Sequence, residues 1–133
     1  MSAKKYVIAS IGAGVWIFFY GFIVNAILLK NFYSANVDPN LMRPEGQEVM
    51  WAIIASCLLQ GFALAYIFTK GHENKGIGEG LRFGLLIAWF VAALYLLFYA
   101  IQPWTMTSTI VAMVADGIMY IGAGAIIALL YKR

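Results

Sequence analysis

Four uninterrupted apolar runs, at residues 6–29, 49–69, 83–101 and 109–131, are 24, 21, 19 and 23 residues long and hold one charged side chain between them, Asp116. A helix built on each would be about 28 to 36 Å long at a rise of 1.5 Å per residue, close to the roughly 30 Å hydrocarbon core of a bilayer. A spanning barrel would instead show segments of about ten residues that alternate in hydrophobicity. These runs are apolar on every side. The expected fold class is therefore all-α: a polytopic membrane protein whose single domain, residues 1–133, is an antiparallel bundle of four transmembrane helices.

Composition narrows the function classes. Apolar residues make up 63% of the 133 positions and charged ones 11%, where a soluble domain has about 25% charged. Too little chain is left for a sizeable extramembrane domain, which excludes most catalytic, nucleotide-binding and nucleic-acid-binding architectures. The net charge of +3 is not a nucleic-acid footprint, because that requires a basic stripe on a soluble face. Here the basic residues flank the apolar runs and orient them. Lys4, Lys5, Lys70, Lys75, Arg82, Lys132 and Arg133 fall on one side of the expected membrane, Lys30 and Arg43 on the other. Basic residues are retained in the cytoplasm, so both termini are expected there, with the 30–48 loop and the 102–108 turn outside. Tyr6, Phe32, Tyr33, Trp51, Trp104 and Tyr131 sit near the expected span ends, where amphipathic rings prefer the headgroup level.

The first run follows Lys4 and Lys5 in the manner of a secretory signal, but a signal's apolar stretch is only about 7 to 15 residues. It reads as a retained first span. Pro103 ends the third helix at the preceding residue, and makes spans three and four a tight hairpin. Pro44, with Glu45 and Glu48 after it, reads as an early start of the second helix, with acids favourably placed at its N-terminus.

The candidate functional residues are the polar ones inside the runs. An aspartate at the centre of a spanning helix costs about 2.5 to 3.5 kcal/mol on insertion scales, so Asp116 is expected to face the interior and to have partners. Helical spacing puts Ala112, Asp116, Tyr120 and Gly124 on one stripe of span four. Asn25 in span one and Gln60 in span two, the latter four residues from Ser56, are the partners to expect. Two roles fit this group. Asp116 could couple a proton or cation to transport, with Asn25 and Gln60 lining the path, or all four could hold helices together by hydrogen bonds. Tyr20, Tyr95, Tyr99, Tyr120, Trp16 and Trp89 either line a quinone, pigment or lipid cleft or, more commonly, pack and form interface belts.

Other motifs point to little chemistry. The glycine-rich stretch 71–80 lacks the strand and helix context of a phosphate loop and reads as a turn. His72 is the only histidine and Cys57 the only cysteine, so no metal or cofactor set and no catalytic dyad is expected. The tetrapeptide Ile-Gly-Ala-Gly occurs at 11–14 and again at 121–124. If it is more than a consequence of high glycine content, it predicts close approach of helices one and four.

The aromatic block Gly14-Val15-Trp16-Ile17-Phe18-Phe19-Tyr20, Met42 in the outer loop, and Gly76-Ile77-Gly78-Glu79-Gly80-Leu81-Arg82-Phe83-Gly84-Leu85 leading into span three resemble a family of small prokaryotic four-helix membrane proteins known as domain of unknown function 1761. The resemblance covers nearly the whole chain. It implies a bacterial inner-membrane location and carries over no activity or catalytic residue. The glutamate of small multidrug carriers and the threonine/phenylalanine run of fluoride channels have no counterpart here. The expectation is a structural or interaction subunit, self-associating or bound to a membrane-protein partner, with a proton- or cation-coupled transporter as the alternative.

Overall fold

The structure, a computed structural model, describes residues 3–28, 31–32, 35, 49–71, 76–102 and 105–131. It is helical in four long elements: α1, Ala3–Gly21, continued by a π-helical segment Phe22–Leu28; α2, Met50–Lys70; α3, Ile77–Ile101; and α4, Met106–Leu130. All four are long and apolar enough to cross a membrane. The expected start of helix two at Pro44, Pro103 and Trp104, His72, and the anchors Tyr33 and Trp104 lie outside the described residues.

Local chemistry explains the helix ends. Thr105 caps α4 by accepting the Ser108 backbone N–H at 3.1 Å, which satisfies one orphan donor of the first turn, and its carbonyl accepts from Thr109 Oγ1 at 2.9 Å. Helix α4 thus begins three residues before the apolar run. Helix α3 begins six residues before its run, because Gly76 adopts a positive φ of 81° that an L side chain rarely takes, and Glu79 follows in the first turn, where a negative charge is favoured. The glycines of the 76–80 stretch are therefore largely helical. Gln102, preceding Pro103 in the sequence, is extended with ψ 154° and ends α3.

Contacts put the helices in the order α2–α1–α4–α3, each antiparallel to its neighbour. Two seams bring backbones together. A side chain on Gly61 would run into the Ser10 carbonyl and come within 2.8 Å of the Gly14 nitrogen; one on Gly84 would lie 2.5 Å from the Ile121 Cα and Tyr120 carbonyl. Gly80 and Gly124 face each other in the same way. The middle seam, α1 on α4, is made with side chains. Its core joins Ala9, Ala13 and Ile17 of α1 to Met119, Ala123 and Ile127 of α4, with Leu64, Ala65 and Phe68 closing it from α2.

The repeated tetrapeptide marks both kinds of seam. Gly12 faces Ile126 and Leu130 across α1–α4, and Gly122 faces Trp16 across the same seam in the reciprocal position. Gly14 meets Cys57 and Leu58 of α2, while Gly124 meets Gly80 and Gly84 of α3. The alanine between each glycine pair, Ala13 or Ala123, is fully buried. Helices one and four do approach each other, and each copy also sets the closer contact with its outer neighbour.

Gly61→Leu is expected to lower stability by about 1 to 3 kcal/mol, the usual range for overpacking, and toward its upper end because the obstacle is backbone. Gly78→Ala, with nothing within 4 Å of the added carbon, should be neutral or up to about 1 kcal/mol stabilising. Thermal unfolding in detergent, followed by circular dichroism, separates the two.

Candidate functional site

Asp116 lies ten residues into α4, about 15 Å from the helix start by rise, and is partly buried. Its Oδ2 accepts the hydroxyl of Tyr95 on α3. One turn along, Tyr120 donates to Gln60 Oε1 on α2 at 2.7 Å, and Gln60 Nε2 donates in turn to Ser56 Oγ at 3.0 Å. From the α1 side, Tyr20 donates to the Ala115 carbonyl and Trp16 to the Met119 carbonyl, both at 2.7 Å. Helix α4 is thus tied by side-chain hydrogen bonds to each of the other three.

The spacing of these ties follows helical geometry. Trp16 and Tyr20 are four apart on α1, and the carbonyls they reach, Met119 and Ala115, are four apart on α4, so two adjacent turns of antiparallel helices are stitched together. Tyr95 continues the face of α3 that Gly80, Gly84 and Ala88 press against α4. The small residues bring the helices close, and the first large polar residue on that face reaches the carboxyl.

Of the four residues singled out in the sequence, the structure brings together Gln60 and Tyr120 directly, and Asp116 through its position one turn from Tyr120. It does not bring Asn25 to them. Asn25 is exposed on the π-helical segment and makes no hydrogen bond to this group. Asn25 stays beside Gly21, its Nδ2 3.9 Å from where a Cβ on that glycine would sit. Tyr95 was the residue the sequence reading missed as a partner; its signal was its place on the small-residue face of α3. Among the described residues, no three His, Cys, Asp or Glu side chains converge to hold a metal.

A groove of about 380 Å³ runs between the π-helical segment and the first half of α4, lined by Tyr20, Val24, Leu28, Ile110, Val111, Val114, Ala115 and Ile118. Its walls are apolar, and Asp116 is not among them. No family model matches the chain, and no curated protein or solved structure was found to be similar to it.

Tyr120→Phe is expected to cost about 0.6 kcal/mol, the average for an interhelical hydrogen bond in a membrane protein. Tyr95→Phe should cost more, about 1 to 3 kcal/mol, since it strips a partly buried carboxyl of its donor. Reversible unfolding in mixed micelles measures both.

Proposed function

We propose that the chain is an integral membrane protein whose helices α1 to α4 cross a bacterial inner membrane as an antiparallel four-helix bundle with both termini cytoplasmic. Its role in this reading is that of a structural or interaction subunit, self-associating or built into a larger membrane assembly, and not that of an enzyme. The observation that carries the role is the use made of the polar side chains within the apolar helices. Tyr95 with Asp116, Tyr120 with Gln60, and Trp16 and Tyr20 with α4 carbonyls all join one helix to another. The outward faces are left to large apolar groups: Trp51 is 75% exposed, Trp89 74% and Leu59 69%. In water such a surface would be an aggregation liability; in a bilayer it is solvated by lipid and open to other helices.

A second reading, proton- or cation-coupled transport, is favoured by one feature. Asp116 is bonded to a neutral phenol and not to a basic side chain, which leaves its proton free to exchange if a path reaches it. The two readings part on a single substitution. In proteoliposomes the subunit reading predicts no pH-dependent ion flux from either the wild-type protein or a folded Asp116→Asn variant. Wild-type flux that Asp116→Asn abolishes would establish transport instead.

A further inference from the structure

Three of the four seams around the helices are closed: α1 on α2, α1 on α4, and α3 on α4. The fourth is open. Helices α2 and α3 meet through the rings of Phe68 and Phe83, with centroids 5.4 Å apart, and otherwise scarcely approach each other. Phe68 is near the end of α2 and Phe83 near the start of α3, so this ring contact lies at that one end of the pair.

The polar residues of the apolar helices gather along this opening. Its floor is the face of α4 that carries Asp116 and Tyr120. Ser56 and Gln60 stand on the α2 side and Tyr95 on the α3 side, each linked to its neighbour by the bonds described above. The direction of those bonds matters. Tyr95 gives its proton to Asp116, Tyr120 gives its proton to Gln60, and the Gln60 amide donates to Ser56. Acceptor lone pairs remain, among them the second carboxylate oxygen of Asp116. What complements such a surface is a hydrogen-bond donor with positive charge, and in an apolar medium that match is the strong one.

None of the four apolar runs carries such a donor. All nine lysines and arginines lie outside the four apolar runs, and Arg82, the basic residue of α3, is thirteen positions from Tyr95, about 20 Å along the helix. A second copy would bring another acid and no base. We propose that the open seam between α2 and α3 receives a transmembrane helix of a different protein, which sets a lysine or arginine side chain against Asp116. This rests on the membrane-subunit reading and names the chemistry of the partner.

The test uses designed leucine-alanine helices of about 20 residues, long enough to span, reconstituted with the full chain in lipid vesicles and followed by fluorescence energy transfer. One helix carries a single central lysine, the other leucine at that position. The lysine helix should bind about tenfold more tightly, the scale of one good interhelical polar contact. Asp116→Asn should erase the preference while Asp116→Glu keeps it, with circular dichroism confirming that both variants fold. Ser56→Trp, which fills the opening and leaves the carboxyl in place, should also block the lysine helix. Equal binding of the two helices, or a lysine preference that survives Asp116→Asn, overturns the proposal. So does self-association through Asp116 that excludes the lysine helix, which would assign the seam to a second copy, and so does binding of dodecylamine at Asp116 when the lysine helix does not bind. Self-association that ignores Asp116 altogether, together with equal helix binding, would remove this partner and leave the subunit reading standing.

Discussion

In a bilayer, helices as apolar as these would gain nothing by hiding from the lipid. Between such helices, association rests on close van der Waals contact and on hydrogen bonds that the surroundings do not supply. Both are concentrated here at a few positions. Gly61 lets the backbone of α2 reach that of α1, and Gly80, Gly84 and Gly124 do the same for α3 and α4. Once those pairs are close, phenol, indole and amide groups from α1, α2 and α3 come within reach of α4. The tie of α3 to α4 thus follows from the glycine contacts, while those of α1 to α4 cross the seam made with side chains.

This division of labour assigns different work to the two halves of each seam. Gly84 and Ala88 are buried on α3 while Trp89, Phe90 and Leu86 beside them are exposed, so α3 is held by one narrow stripe. Helix α1, between α2 and α4, is held on two sides, and its Ala9, Ser10 and Ala13 have no exposed surface. The acceptor-rich face of α4 lies between α3 and α2.

The existence and type of the four helices were legible from the apolar runs alone, because only a helix satisfies its own backbone over such lengths in an apolar medium. The boundaries were less so. Helix α3 starts at Ile77 and not at Phe83, since a capped, glycine-rich first turn is polar enough to look like loop. Neighbour order was legible only in part: the repeated Ile-Gly-Ala-Gly, which high glycine content alone could explain, pointed to α1 beside α4 only if it was more than chance, and nothing in it showed that its second glycine would meet a different helix. Gln60, expected as a partner of Asp116, bonds Tyr120 instead, and the pairing of Asp116 with Tyr95 depends on the register between α3 and α4. Register is set by where Gly80 and Gly84 meet Gly124, a fact of three dimensions. Asn25 shows the converse failure, staying beside Gly21 but exposed and without a hydrogen bond to the polar group.

Everything turns on lipid being the solvent of the outward faces, and collision accessibility of spin labels along α3 reads this directly. Labels at positions 86, 89, 90 and 97 in lipid vesicles should collide readily with dissolved oxygen and hardly at all with a water-soluble nickel chelate. Frequent collisions with the chelate at those four positions would place α3 in water and contradict the account.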